Sequence, residues 1–320
     1  MNVTRCAAAG GPEVLRQATV PDPSSRPGEV IIGVEASGVN RADVLQRKGH
    51  YPSPPGAPEW PGLEVAGTVS AVGEGVTARR VGDRVCALLP GGGYAEKVAV
   101  HESLTLPVPA GLSMSEAAAL VEAACTALSN LREATAQAGE TLLVHGGLGG
   151  VGSIAVQLGA ALGMRVLATA GGRDRADRCV ELGAEAAFDY RTEDWATEVA
   201  ARGGADVILD VVGAAYLEPN LRALATDGRL VVIGMQKGSR GELDLGMLLA
   251  KRARVIGTTL RARPLEERAA IVADVERTVW PLVPDRVRPL VHATFPLADA
   301  AAAHTMLEAG GVTGSLVLTT

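Results

Sequence analysis

Apolar residues along the chain come in two textures. Through the first third they form short alternating or continuous runs at 30–36, 64–69 and 84–88, and Gly- and Pro-rich turn material separates them at 21–25, 52–56 and 91–93. Short strands with such punctuation predict a compact, barrel-like β module. The texture changes at Ser113, where Ser113-Met114-Ser115-Glu116 has the form of a capping box and an Ala/Leu-rich helical stretch runs on to about Leu131. From there strand and helix patterns alternate. Strands are predicted at 141–145, 165–169, 186–190, 206–212, 229–233 and 254–258, with helices over 149–162 and 175–182 between them. Continuous apolar strands alternating with helices predict a doubly wound parallel sheet covered on both faces. The terminal stretch 291–320 returns to short strands and one Ala-rich helix, and 315–318 has no helix to follow it, so it is expected to rejoin the first module. The expected domains are 1–122, 123–260 and, returning to the first, 261–320.

Composition narrows the function classes. The chain has 320 residues, 47% hydrophobic and 21% charged, enough for two domains each with its own core. A formal net charge of −6 argues against a general nucleic-acid binder, which needs a basic stripe for phosphates. No apolar run approaches the roughly 20 residues a bilayer requires, and the first residues lack the layout of a signal peptide. A soluble, cytoplasmic protein is expected. Cys6, Cys86, Cys125 and Cys179 are scattered without a CxxC pair, and the five histidines form no HExxH. Buried apolar roles suit these cysteines better than metal ligation, and no structural metal is expected.

Chemistry concentrates in the first β-to-α turn of the middle region. Gly147-x-Gly149-x-x-Gly152 fits the dinucleotide fingerprint and stands between a predicted strand and a predicted helix. One glycine makes the tight turn, one lets the backbone approach a pyrophosphate, and one lets helix and strand pack closely. The helix N-terminus then offers free N–H groups to the phosphates. At the end of the second strand, where an NAD site usually carries an acid for the ribose 2′-hydroxyl, the sequence reads Thr169-Ala170-Gly171-Gly172-Arg173-Asp174-Arg175. Arginine suits a 2′-phosphate through charge-assisted bonds worth about 1.5–3 kcal/mol each. NADPH is therefore the expected cofactor, against the reading of these charges as a solvated helix start.

The segments Gly11-Pro12-Glu13-Val14-Leu15, Gly38-Val39-Asn40-Arg41-Ala42-Asp43, Gly49-His50-Tyr51-Pro52, Gly62-Leu63-Glu64-Val65-Ala66-Gly67 and Val81-Gly82-Asp83-Arg84-Val85 follow one another in the first module. The glycine loop with Gln157, Leu182-Gly183-Ala184 and Asp189-Tyr190 follow in the second. Together these resemble the zinc-free quinone oxidoreductase branch, which includes zeta-crystallin, of the medium-chain dehydrogenase/reductase superfamily, over nearly the whole chain. Against the zinc alcohol dehydrogenases, Asn40 stands where a ligand cysteine falls, Gly62-Leu63-Glu64 replaces Gly-His-Glu, and the four-cysteine lobe is missing. Without those ligands alcohol oxidation loses its usual Lewis acid.

The resemblance implies a GroES-like β-barrel module, formed by both chain ends, around a Rossmann domain of the α/β class. It implies that Gly147, Gly149, Gly150 and Val151 contact the pyrophosphate, and that Gly172, Arg175 and Tyr190 surround the 2′-phosphate. Thr126 would reach the nicotinamide side, and Val211, Gly213, Ile233 and Gly234 would lie at strand ends along the cofactor cleft. Asn40 and Tyr51 would orient a quinone or enone oxygen beside the nicotinamide. For Asn40 a simple cap on the turn after its strand stays open, as does loop packing for Tyr51. Glu64 reads as a structural carboxylate, and the loop 51–61, with Trp60, as one wall of the pocket. The expected partners are a small quinone or conjugated carbonyl and a second copy of the chain, joined through edge strands near 254–260. The expected activity is NADPH:quinone reduction by direct hydride transfer. Reduction of the C=C bond of enals, enones or enoyl thioesters is the near alternative, and an NADPH-binding sensor or structural protein the distant one.

Overall fold

The structure is a computed structural model that describes Met1–Thr320. It separates into two compact units, Met1–Cys125 with Leu260–Thr320, and Thr126–Thr259. The junctions thus fall a few residues from 122/123 and 260/261. The reason at the first is that one helix runs through it, so the apolar pattern carries no break there.

The first unit opens with an antiparallel pair, β1 (Asn2–Cys6) and β2 (Leu15–Thr19). The spine of its main sheet is β3 (Glu29–Val39), whose alternation of buried and less buried positions is interrupted by two register shifts against β4 (Glu64–Val72). Bulges of this kind bend a long strand, and β3 pairs with β4 along one edge and with β6 (Lys97–His101) and β15 (Ser315–Thr319) along the other. Between them lies α1 (Arg41–Arg47), and after them come β5 (Arg84–Leu88), β6 (Lys97–His101) and β7 (Thr105–Pro107). The expected helix from Ser113 divides into α2 (Met114–Ala117), opened by the Ser113/Glu116 capping box, and α3 (Val121–Glu133). The division has its cause on β4: the Glu122 N–H, in the first turn of α3, donates to the Glu64 carboxylate at 2.9 Å. A carboxylate from another strand thereby caps a new helix start.

In the second unit β8 (Thr141–His145), α4 (Gly150–Ala161), β9 (Arg165–Ala170), α5 (Arg173–Glu181), β10 (Ala186–Asp189), α6 (Trp195–Ala201), β11 (Ala205–Asp210), α7 (Leu217–Ala223), β12 (Leu224–Val232), α8 (Leu245–Ala250) and β13 (Arg254–Gly257) alternate. The six strands are all parallel, in the order β10-β9-β8-β11-β12-β13. The strand order reverses between β8 and β11, the position at which doubly wound sheets bind ligands beyond their carboxyl ends. β11 stops at Asp210 rather than Val212, because the Asp210 carboxylate takes the N–H groups of Val212 at 2.6 Å and of Gly213 and turns the chain. Leu143, Leu167, Phe188, Trp195, Ile208 and Leu230 fill the core on one side of this sheet.

The chain returns to the first unit with α9 (Leu265–Thr278), β14 (Val291–Pro296), α10 (Ala300–Ala309) and β15 (Ser315–Thr319). β15 pairs antiparallel with β3, Leu316 opposite Val39, so both chain ends build one sheet as the sequence predicts. Its core gathers Leu15, Val39, Tyr94, Leu297, Ala303, Leu316 and Leu318. No helix is long and apolar enough to cross a membrane.

Candidate active site

In the parallel-sheet unit the glycine loop follows β8 directly. A Cβ on Gly152 would lie 2.1 Å from the Gly146 carbonyl oxygen, so only glycine lets α4 start this close beneath the loop. A Cβ on Gly147 would lie 2.8 Å from the Ala168 Cβ, which holds the loop against β9. Gly149 precedes α4 as its N-cap, and Gly150 and Val151 are the first two residues of the helix. No acidic side chain stands in the first turn of α4, leaving its N-terminal dipole open to an anion.

Beneath the loop a buried polar chain ties three strand ends together. His145 is 2.9 Å from the Thr169 hydroxyl through Nδ1 and 2.7 Å from Asn220 Oδ1 through Nε2, and Asn220 donates to Asp210 at 3.2 Å. Burial pushes the His145 pKa down to about 4 against the bond to Asn220, and pushes Asp210 up to about 6 against its N–H donors. A neutral imidazole with both nitrogens engaged makes this layer a rigid support. Above it the structure brings Val211, Gly213, Ile233 and Gly234 together. Ile233 and Gly234 donate to the Asp210 carbonyl, and a Cβ on Gly234 would meet the Val211 carbonyl at 2.8 Å. Thr126 lies on α3, its carbonyl accepting from Asn130 at 2.7 Å.

The end of β9 is built from absence of side chain. A Cβ on Gly171 would sit 2.6 Å from the Tyr190 hydroxyl and 3.2 Å from Arg191 Nε, and Gly172 adopts φ 111°, where a side chain is strained. Gly172 donates its N–H to Asp189 at 2.8 Å, and that carboxylate is held below its usual range by the Arg191 and Gly172 N–H groups. Of the two arginines in this turn, Arg173 is committed to Asp177, Glu193 and the Ala187 carbonyl. Arg175, two residues on, lies near Cys179. Sequence reasoning missed two basic groups here. Arg191 directly follows Tyr190 and was legible as such, whereas Lys237, whose ammonium lies 5.5 Å from the Tyr190 ring centroid, arrives from a distant loop with no local signal.

In the β-module unit Asn40 does cap α1, but through its backbone: its N–H donates to Asp43 at 2.8 Å. Its side chain does something else, with Nδ2 donating to Glu64 Oε1 at 2.8 Å. Glu64 is 1% exposed, and burial together with the neighbouring Glu122 charge raises its pKa well above the ordinary carboxyl value, opposed by the two donated hydrogen bonds. Asp43 is buried as well and is pushed up to about 6 by burial, against donors on Asn40, Gly62 and Tyr94. Tyr51 is tied to a residue that no local pattern singles out. Arg261, 6% exposed, stacks 5.1 Å from the Tyr51 ring centroid. It donates to the carbonyls of Tyr51 and Pro90, to Gln46 Oε1 and to the Ser53 hydroxyl. Gln46 and Asp43 both belong to α1, so Asn40, α1 and the Tyr51 loop form one hydrogen-bonded assembly. Trp60, on the same loop, donates to the Gly92 carbonyl at 2.9 Å.

Two family models match the chain: "Alcohol dehydrogenase GroES-like domain" over residues 26–110 and "Zinc-binding dehydrogenase" over residues 150–275. Quinone oxidoreductase of Rattus norvegicus is 34% identical over 99% of this chain and 97% of its own length. The chain belongs to the quinone oxidoreductase family of the medium-chain dehydrogenase/reductases. Among solved structures, the quinone oxidoreductase of Thermus thermophilus, also solved with NADPH, is 36% identical with a TM-score of 0.86, and an NAD-dependent alcohol dehydrogenase is 30% identical with a TM-score of 0.89. Both matches cover the whole of each chain. The shared fold therefore does not choose the coenzyme, and the residues at the β9 end must.

The zinc in one family description does not fit the residues present. Asn40 offers an amide already bound to Glu64, and no three His, Cys, Asp or Glu side chains gather as a donor set. The buried thiols of Cys86 and Cys125 are pushed up by burial, away from the thiolate a metal requires.

Proposed function

We propose that the protein is an NADPH-dependent quinone reductase. The observation that carries the coenzyme is the strand end at Gly171 and Gly172, bare of side chain and faced by the Tyr190 hydroxyl and the Arg191 guanidinium, while the nearby Asp189 carboxylate is taken up by the Gly172 and Arg191 N–H groups. Gly172, Arg175 and Tyr190 hold the 2′-phosphate, with Arg191 and Lys237 adding charge. Gly147, Gly149, Gly150 and Val151 take the pyrophosphate at the α4 N-terminus. Val211, Gly213, Ile233 and Gly234 form the backbone floor beside it, and Thr126 serves the nicotinamide side. Similarity to quinone oxidoreductases over the full chain supports the acceptor.

NADPH, when bound, supplies a hydride. The chain's own part is to hold the acceptor and steady the charge that develops on its oxygen, a task of proximity and directed donors rather than of acid catalysis. Asn40 and Tyr51 are the donors proposed for that oxygen. A quinone takes up one hydride and one proton to become the hydroquinone, and the proton comes from solvent. We also assign a homodimer joined along β13, an outer strand of the parallel sheet, whose Val255 is 41% exposed.

The test compares acceptors under saturating NADPH. Turnover on 9,10-phenanthrenequinone well above that on a simple 2-enal is expected. The reverse ranking would make the protein a C=C reductase, and NADPH binding without turnover on either would make it a sensor or structural protein.

A further inference from the structure

Glu64 is the least expected feature of the β module: a carboxyl group without solvent, on a strand, beside the proposed acceptor-orienting amide. The neighbouring strand makes room for it. A Cβ on Gly38 would lie 2.2 Å from Glu64 Oε1 and 2.5 Å from the Ala118 carbonyl oxygen, so that strand carries glycine where the carboxyl enters. Its two oxygens have separate duties. Oε2 takes the Glu122 N–H at the start of α3 at 2.9 Å, a backbone donor that cannot turn round. Oε1 takes Asn40 Nδ2 at 2.8 Å, a side-chain amide that can.

Building on the quinone reductase reading, we propose that Glu64 is the positioning residue for Asn40: its carboxyl group decides which end of the Asn40 amide is turned away toward an acceptor. An ionised carboxylate only accepts, so it draws the Asn40 NH2 group inward and leaves the carbonyl oxygen outward. A protonated carboxyl keeps its C=O on the Glu122 N–H and gives its O–H to Asn40 Oδ1. The amide then turns over and presents its NH2 group, the donor that charge developing on a quinone oxygen requires. Burial and the Glu122 charge both favour the protonated form. The same two-sided constraint makes Gln at position 64 a permanent copy of the protonated state. Its carbonyl must face the Glu122 N–H, so its NH2 faces Asn40.

The groups around Glu64 are Glu122 from α3, Asp43 from α1, Cys86 from β5, Cys125 from α3 and Tyr94. The two thiols and the phenol are raised by burial and stay neutral, which leaves Asp43 and Glu122 as the other carboxylates whose titration must be told apart from Glu64's. The experiment is kcat against pH with NADPH and 9,10-phenanthrenequinone for the wild type, Glu64→Gln and Asn40→Ala. The wild type is expected to lose turnover as pH rises through one titration. Glu64→Gln should keep the low-pH kcat within roughly two-fold and lose that limb. Asn40→Ala should lack the limb as well. A limb that persists in either variant, or a collapse of turnover in a folded Glu64→Gln, would overturn the assignment.

A readout free of turnover accompanies it. The Asn40 side-chain 15N–1H resonances, assigned by their loss in Asn40→Ala, should shift with pH in the wild type and stay fixed in Glu64→Gln. Resonances that do not titrate in the wild type overturn the proposal even if Glu64→Gln fails to fold. A wild type inactive on quinones would instead overturn the functional reading, and the amide titration would still decide this one.

Discussion

At the scale of single residues, the two donors proposed for the acceptor oxygen are held very differently. Asn40 is gripped by a buried carboxyl, whereas Tyr51 is positioned through its ring and carbonyl by Arg261. If hydride transfer rests on proximity, the Tyr51 hydroxyl contributes one ordinary hydrogen bond. Tyr51→Phe is then expected to lower kcat by about two- to ten-fold, measured at unchanged NADPH affinity. Complete loss of turnover with the cofactor still bound would mean that Tyr51 is an obligatory acid. Residue by residue, the need for glycine in the loop after β8 and at Gly172 was legible, since it is local: a turn, a close approach, a positive φ. It did not carry Arg261, Glu64's contact with Asn40, or Lys237. Each of these acts on a residue far away in the chain, and pattern reading sees only neighbours. Of the two readings left open for Asn40, the cap is made through its backbone, while its amide serves Glu64, a contact that neither reading named.

At the scale of elements, the parallel strands were legible because burial on both faces writes an unbroken apolar run. The division of α2 from α3 was not, since Ala and Leu continue through it and its cause lies on β4. The end of β11 was misread by two residues for a similar reason: Val211 and Val212 look like strand, but the Asp210 carboxylate claims the N–H groups that would extend the ladder. β13, one of the two outer strands of the sheet, has a partner on one side only, and its exposed Val255 marks the edge proposed to meet a second copy. The protein is expected to sediment as a dimer, and Val255→Asp to shift it to monomer at the same concentration. A wild-type monomer at tens of micromolar would contradict the edge-strand assignment.

At the scale of the whole molecule, both chain ends build the β module, and a six-stranded parallel sheet forms the second unit. The sheet supplies a cradle of glycines and strand ends, kept rigid by the neutral His145 beneath it. The module supplies polar groups fixed by Glu64 and Arg261. In the proposed reading Asn40 and Tyr51, the residues held by these groups, orient the acceptor oxygen. The most direct measurement is NADPH oxidation at 340 nm with and without 9,10-phenanthrenequinone, run in parallel with NADH. Quinone-dependent consumption of NADPH, well above that of NADH, is the predicted result. Equal or greater use of NADH, or no acceleration by the quinone, would contradict it.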